Sequence, residues 1–179
     1  MVFATEQSWW YGKEIEGFSY TGLKNVKEAE INDALYKYRH ATFSDEVFAD
    51  IQNALYNVQG IDFFIADAQR NETDGLVLAF EFYELPMLSS ISFEGNEKVK
   101  TSDLRGALST LSVGSFMDPS RKSVFEVAKR EILDFYATKG FESVPVEYEI
   151  RENEESGTFA VVFSITEGLQ TRIGSISFT

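Results

Sequence analysis

The side chains that most enzymes use for covalent or acid–base chemistry are scarce in this sequence. It contains no cysteine and a single histidine, His40. Thiolate catalysis, cysteine-ligated metals and paired-histidine zinc sites are therefore excluded, and the common catalytic triads are nearly so. Because His40 ends the first helical pattern, we interpret it as a surface residue or as a cation that complements a helix dipole.

Carboxylates are abundant, but their spacing does not fit a known site. Glu152, Glu154 and Glu155 lack the spaced ligands of a calcium loop and fit a solvated hairpin turn better. A small hydrolase that uses carboxylates such as Asp62 and Asp67 is an alternative, but no supporting group accompanies them. We expect no catalytic residue, no cofactor and no metal, and hence a protein that is not an enzyme.

Two segments have the pattern of strands at a sheet edge, where a second, extended chain can be bound through backbone hydrogen bonds. Pro145 interrupts one strand pattern, and because proline cannot donate to a ladder, that strand should lie at an edge. Its counterpart in the first half is Ile61–Arg70. Strand alternation directs Phe63 and Ile65 inward and leaves Phe64 on the opposite face. The alternative is that Phe64 packs beneath a loop or a neighbouring module.

These segments supply the candidate residues for binding an extended chain. They are Asp62, Phe64, Ala66, Ala68, Ser143, Pro145, Glu147 and Glu149. Asp62 and Asp67 would discourage indiscriminate pairing of the first edge. Trp9 and Trp10 precede the first strand, and they are candidates either for docking a partner or for docking the N-terminal tail onto the first module.

A repeated tetrapeptide indicates how these segments are organised. Ser90-Ile91-Ser92-Phe93 recurs as Ser175-Ile176-Ser177-Phe178, and Phe18-Ser19-Tyr20 is a weaker copy. Such a period indicates one strand used at the start of successive units. The expected divisions are a tail at 1–13, modules at 14–87 and 88–171, and the first strand of a truncated third repeat at 172–179. The sequence is therefore expected to be a fragment.

Within each unit the pattern is strand–helix–helix–strand–strand. Apolar residues recur at helical spacing in the first helices, namely Ile31, Ala34, Leu35 and Tyr38, and Leu104, Ala107, Leu108 and Leu111. Thr101 or Ser102 is the expected N-cap of one helix, and Asp118-Pro119 of the next. Gly60 and Gly140 follow the second helices, where a left-handed residue satisfies the last carbonyls.

Composition and net charge limit the classes of molecule that this chain could bind. The chain has 179 residues, of which 44% are hydrophobic, and a net charge of −13 at pH 7. That charge argues against binding to nucleic acid or to anionic lipid. No apolar run approaches the ~20 residues that span a bilayer. A folded, acidic protein that binds other proteins is the class that remains.

Several motifs stand at the boundaries of the predicted elements. In the second unit they are Phe93-Glu94-Gly95-Asn96, Tyr136 before Gly140-Phe141, and Glu167-Gly168; in the first they are Tyr56 before Gly60-Ile61, and Glu84-Leu85-Pro86. Their order over about 14–179 resembles the POTRA (polypeptide-transport-associated) repeat of BamA-type outer-membrane assembly factors. The first unit departs from the pattern, because Ala41 or Thr42 stands where the second unit has Gly114.

This resemblance implies an α+β fold of tandem β-α-α-β-β modules, each with a three-stranded mixed sheet covered on one face by two helices. It implies a periplasmic location in a diderm bacterium, ahead of a membrane-embedded C-terminal β-barrel. The implied partners are unfolded outer-membrane proteins, bound in part by strand addition at Asp62–Gln69 and Ser143–Arg151, a periplasmic chaperone and accessory assembly lipoproteins. A two-partner-secretion transporter is the alternative, and the third opening strand at Ile173–Thr179 argues against it.

Overall fold

The computed structural model of this protein describes residues 8–171. The chain divides into two compact units, Met1–Leu85 and Pro86–Thr179. The last Ser-Ile-Ser-Phe copy and the strand expected at 172–179 lie outside the described residues. Within the described part of the chain, no helix is both long and apolar enough to cross a bilayer.

The first unit contains a mixed three-stranded sheet. Its elements are β1 (Ile15–Thr21), α1 (Glu28–Leu35) with a 3₁₀ turn at Tyr36–Tyr38, α2 (Asp45–Tyr56), β2 (Ile61–Arg70) and β3 (Leu76–Glu84). The central strand is β3, which runs parallel to β1 and antiparallel to β2. The parallel pair is possible because two helices carry the chain between the first strand and the others.

The second unit repeats this topology. Its elements are β4 (Met87–Glu94), α3 (Thr101–Ala107), α4 (Lys122–Thr138), β5 (Val146–Asn153) and β6 (Thr158–Ile165). The central strand is β6, parallel to β4 and antiparallel to β5. The predicted α+β fold of β-α-α-β-β modules with mixed sheets is confirmed.

One face of each sheet is buried with the apolar sides of the helices. In the first unit the buried sheet residues are Leu76, Leu78, Phe80 and Phe82, and the helices contribute Ile31, Leu35, Ile51 and Leu55. In the second unit they are Phe159, Val161, Phe163 and Ile165, with Phe125, Ala128, Ile132 and Tyr136 from α4. Each large apolar side chain stabilises the fold by about 1.5–3 kcal/mol when fully buried.

The first strand of each sheet is already hydrogen-bonded on its outer side. The amide of His40 donates to Ile15 O at 2.9 Å, and the amide of Gly114 donates to Leu88 O at 2.8 Å. The backbone that follows each donor thereby covers the start of β1 and of β4. We call these covered sides the closed edges.

This pairing identifies His40, and not Ala41 or Thr42, as the counterpart of Gly114. Both residues have a left-handed backbone, with φ of 70° for His40 and 91° for Gly114. The expected alignment was wrong because it looked for a small residue, whereas histidine is among the residues that tolerate this conformation. The imidazole Nδ1 lies 2.6 Å from Glu14 Oε1, and the side chain is otherwise exposed.

A glutamate at the end of each central strand binds the loop after the first strand. Glu84 accepts three backbone hydrogen bonds at 2.8 to 3.1 Å, from Lys24, Asn25 and Val26. Glu167 accepts two at 2.7 and 3.1 Å, from Lys98 and Val99, and a third at 2.8 Å from the Tyr136 hydroxyl. We call each arrangement a glutamate clamp, because it satisfies amides just before a helix that would otherwise lack partners.

The helix starts in the second unit differ from the predicted caps. The N-cap of α3 is Lys100, with no side-chain cap bond, and Thr101 is the first helical residue. The N-cap of α4 is Arg121, not Asp118. The Asp118 carboxylate instead accepts from Ser120 N at 2.8 Å, which closes a turn before the helix and delays its start.

Candidate functional site

The candidate strand of the first unit, β2, lies at the edge of its sheet. Just after β2 ends, Asn71 N donates to Gly75 O at 3.0 Å. The pairing of β2 with β3 continues from there towards the start of β2 without a shift as far as Phe63, for example at Asp67 opposite Ala79. Hydrogen-bonding direction alternates along an antiparallel strand, so every second residue before Asn71 also faces β3. The backbone groups that point away from β3 therefore belong to Phe64, Ala66, Ala68 and Arg70.

These four residues define what we call the open edge. Within residues 8–171, no backbone hydrogen bond joins them to a segment on that side. The open edge contrasts with the closed edge of β1 in the same sheet. A second extended chain could therefore extend this sheet alongside β2.

The side chains of β2 point in the opposite sense from the sequence prediction. Phe63 and Ile65 are 44% and 54% exposed, whereas Phe64 packs inward with ring centroids 5.1 Å from Tyr56 and 5.6 Å from Phe80. The cause is a register shift between Ile61 and Phe63, because one extra residue in a strand reverses the side of every residue that follows. The predicted inward placement of Phe63 and Ile65 is therefore wrong, and Phe64 packs on the helix and sheet of its own module rather than beneath a loop.

A cleft lies beside the open edge on the helical face. It has a volume of about 350 Å³ and is lined by Trp10, Phe43, Asp45, Phe48, Ala66, Asp67, Ala68 and Leu78. Two of the predicted strand residues, Ala66 and Ala68, and one predicted docking aromatic, Trp10, are thus brought together. The small side chains of Ala66 and Ala68 leave room in the cleft for side chains of an added strand.

The residues before β1 are anchored on the first unit. Trp9 stacks against Arg70, with the guanidinium carbon 4.2 Å from the ring centroid, and Lys13 Nζ lies 3.1 Å from Asp74 Oδ2. Arg70 also pairs with Asp74. Trp9 and Trp10 are half-buried, so docking of this segment onto the first module, one of the two predicted alternatives, is what the structure contains.

The candidate strand of the second unit, β5, also lies at a sheet edge, as predicted. It begins at Val146, so Ser143 and Pro145 precede it. The carbonyl of Pro145 accepts from Thr166 N at 2.9 Å. Pro145 thus faces β6. Its missing N–H removes a hydrogen bond to β6 and so shortens β5, but it does not affect the side of β5 that has no neighbouring strand.

The edge of β5 is polar compared with that of β2. Glu147 and Glu149 are exposed; Glu147 lies 3.4 Å from Lys129 Nζ, and Glu149 lies 2.7 Å from Arg151 Nη2. By the same alternation the outward backbone groups are those of residues 146, 148, 150 and 152. The charged side chains make this edge the less suited of the two to an apolar guest.

Chemistry other than binding has little support in the structure. His40 and Asp62 are exposed, and no group of three or more metal-ligating side chains converges among residues 8–171. Glu131, on α4, accepts hydrogen bonds from Ser109 and Thr110, and those bonds lower the pKa of its carboxyl although burial alone would raise it. The Glu131 carboxylate thus holds the loop at Ser109 and Thr110, and its oxygens are used in those hydrogen bonds.

Residues 86–168 match the model of the POTRA family, described as a surface antigen variable number repeat. These residues form a POTRA domain. The predicted identification of a POTRA-repeat region is confirmed, and the first unit has the element order and sheet topology of this POTRA domain.

A Treponema pallidum protein that is provisionally named an outer membrane protein assembly factor is 23% identical over 173 residues. The match covers 96% of this chain and 20% of that protein, so the chain spans about a fifth of the relative's length. The N-terminal domain of Omp85 from Thermosynechococcus elongatus aligns with a TM-score of 0.46 at 13% identity, over 84% of this chain and 61% of that chain. POTRA3-5 of Haemophilus influenzae BamA aligns with a TM-score of 0.41 at 15% identity, over 88% and 67%.

Sequence reasoning missed the role of the two glutamates that form the clamps. Glu84 and Glu167 appeared as parts of boundary motifs, but their contacts with loops 58 to 69 residues away along the chain were not predicted. The available signal was positional, since Glu84 ends the last strand of its unit and Glu167 stands two residues after the last strand of its own. A carboxylate at that point in both copies indicates a shared structural task.

Proposed function

We propose that this chain belongs to the periplasmic scaffold of an outer-membrane β-barrel assembly factor, and that it receives unfolded outer-membrane proteins by strand addition. The POTRA domain and the name of the Treponema relative support the class of protein. The observation that carries the binding mode is the open edge of β2. Its backbone donors and acceptors at Phe64, Ala66 and Ala68 have no backbone partner among residues 8–171, and they lie beside the cleft near Trp10 and Phe48.

Backbone hydrogen bonds account for how one site can accept many clients. An added strand is held through main-chain groups, which every sequence provides, and its side chains alternate between the two faces of the sheet. On the helical face those side chains meet the cleft near Trp10 and Phe48. We propose β5 as a second, weaker augmentation strand, through the outward backbone groups of Val146, Tyr148, Ile150 and Glu152. The predicted residues do not supply these groups, because Ser143 and Pro145 precede the strand and the backbone of Glu147 and Glu149 faces β6.

The wider role is also a proposal. A periplasmic chaperone and accessory lipoproteins would dock on the POTRA modules, with Trp9 and Trp10 as candidate contacts. The modules would span 14–87 and 88–171, with a third repeat beginning at 172 and a membrane-embedded barrel after it. The protein would act as a scaffold and not as an enzyme, because the described carboxylates and His40 do not form a catalytic arrangement.

A titration tests strand addition directly. A peptide taken from the last strand of an outer-membrane barrel is added to the ¹⁵N-labelled chain, and backbone amide shifts are followed. We expect the largest changes at residues 64–70, with smaller ones along β5. Changes confined to the helices, or no change at all, would contradict the proposal.

A matched pair of proline variants separates the open edge from the ladder. Ala66→Pro removes an outward N–H without removing a bond to β3, so the fold should persist while peptide affinity falls about tenfold. Asp67→Pro removes a donor that faces β3 and should instead destabilise the first unit. Equal peptide binding by Ala66→Pro and the unmodified chain would show that the edge is not the site.

A further inference from the structure

The outer face of the first sheet, opposite the helices, displays a group of apolar side chains. Phe63, Ile65 and Tyr83 are 44%, 54% and 38% exposed. Phe63 and Tyr83 are paired across the strands and their rings stack at 4.3 Å between centroids. We call these three residues the outer patch. Contiguous exposed apolar groups of this kind mark surfaces that bind other molecules.

Acidic groups border the outer patch. Asp67 and Glu81 line a trough of about 310 Å³ that begins at Ile65, and Glu81 Oε1 accepts from the Tyr83 hydroxyl at 2.8 Å. Among the described residues, β1, β2 and β3 direct no basic side chain to this face. A partner that covers the patch must therefore bring apolar groups to its centre and positive charge to its rim.

The second module lacks this feature, although its sheet has the same topology. Ile65 pairs with Glu81 on β3, three residues before the clamp glutamate. The equivalent pair in the second sheet is Glu147 with Ser164, which is polar. The outer patch is thus a property of the first module and not a requirement of the fold.

We propose that the outer patch docks an amphipathic helix of a partner protein, with an apolar stripe flanked by lysine or arginine. The patch offers side chains and not free backbone groups, so it does not select an extended chain. Helices already cover the opposite face of this sheet, and a sheet with apolar groups on both faces is completed by helices on both. The stacked Phe63 and Tyr83 rings can also accept a cation from such a helix. The outer patch uses side chains on the face of the sheet, whereas the open edge uses backbone groups, so the proposal does not depend on strand addition.

A designed peptide serves as the probe. It is a helix of about 18 residues, or five turns, built from leucine on one face and lysine on the other. The controls are the same peptide with glutamate for lysine, and a lysine peptide with the leucines scrambled off one face. We expect the first peptide to shift the amides of Ser19, Ile65, Ala79 and Tyr83, and the controls to bind at least about tenfold more weakly.

The variant Ile65→Glu with Tyr83→Thr gives the first module the residues that stand at the equivalent positions of the second, Glu147 and Thr166. Both replaced side chains are exposed, so the spectrum should retain its native dispersion. We expect affinity for the lysine–leucine peptide to fall at least about tenfold. In the single variant Tyr83→Thr, which lies on the central strand away from the open edge, affinity for the barrel-strand peptide should stay within about twofold.

Unchanged binding of the lysine–leucine peptide to this variant would overturn the proposal, as would shifts centred on the second sheet or on the helices. If the variant loses native dispersion, the single variant Tyr83→Thr is used with the same two peptides. If the unmodified chain binds the lysine–leucine peptide but not the barrel-strand peptide, and the variant loses the former, strand addition is contradicted and the outer patch is supported. The two ideas therefore fail separately.

Discussion

The hydroxyl of Tyr136 donates a hydrogen bond to Glu167 Oε1 over 2.8 Å, which ties α4 to the end of β6. The counterpart in the first module does not do this: Tyr56 is 54% exposed and its ring contacts that of Phe64 at a tilt. The glutamate clamp of the second module therefore has a third donor from a buried side chain. Burial, and then the bond to Glu167, raise the pKa of Tyr136 above its ordinary value of 10.0.

That relationship predicts an alkaline loss of stability. A raised pKa means that the folded state keeps the tyrosine proton after the unfolded chain has released it, so the stabilisation is complete below pH 10 and falls as the pH rises further. Tyr136→Phe should cost about 1–2 kcal/mol at pH 8 because a hydrogen bond to a carboxylate is lost. Urea unfolding of the two proteins at pH 8 and above 10 measures this. The deficit of the variant should shrink with pH; a constant deficit would contradict the assignment.

The glutamate clamp of the first module predicts a second result. Glu84→Ala leaves three backbone amides without their acceptor, and the first module should lose about 1–3 kcal/mol of unfolding free energy. Glu81→Ala, on the same strand but exposed, is the control and should change stability by less than about 0.5 kcal/mol. Hydrogen exchange at residues 24–26 should accelerate in the first variant alone. Equal effects of both substitutions would refute the clamp.

Two glycines of the second module should respond oppositely to alanine. Gly95 has a φ of 81°, and an added Cβ would collide with the carbonyl oxygen of Ile165, so Gly95→Ala should strongly destabilise the module. Gly106 lies inside α3, and a Cβ there meets nothing within 4 Å. Gly106→Ala should therefore stabilise by about 0.5–1 kcal/mol, the difference in helix propensity. Thermal unfolding midpoints that move in the same direction would contradict this.

Substitutions at His40, including the glycine found at the equivalent position 114, test whether its left-handed backbone is strained. His40→Gly relieves the strain but makes the unfolded chain more flexible, so the net change should be within about 1 kcal/mol. His40→Val places a β-branched residue where it is a conformational outlier and should destabilise clearly more than His40→Gly. Denaturant midpoints of the two variants decide the order, and a valine variant as stable as the glycine variant would contradict the assignment.

Much of the fold was predictable because the same pattern of elements occurs twice in the sequence. The repeated first strand, the helical stripes and the glycines at positions 60 and 140 were each informative, and each agreed with its counterpart. The two copies agree because strands and helices each require apolar residues at a fixed spacing, which is visible in the sequence.

Local irregularities could not be predicted in the same way. The register shift before Phe63 reverses the faces of β2, and it depends on how two strands pair rather than on the pattern of one. The turn closed by Asp118 competes with helix capping by the same side chain, and sequence alone does not rank the two. The left-handed position at His40 was hidden because its counterpart is glycine.

The closed and open edges together bias the side on which each sheet can grow. The outer side of the first strand is already occupied by the chain's own backbone at Ile15 and, in the second module, at Leu88. A strand added alongside β1 or β4 would collide with that backbone at its first residues, whereas a strand added alongside β2 or β5 meets no such obstruction. This asymmetry lowers the tendency of each module to extend in both directions and so to act as a template for fibres.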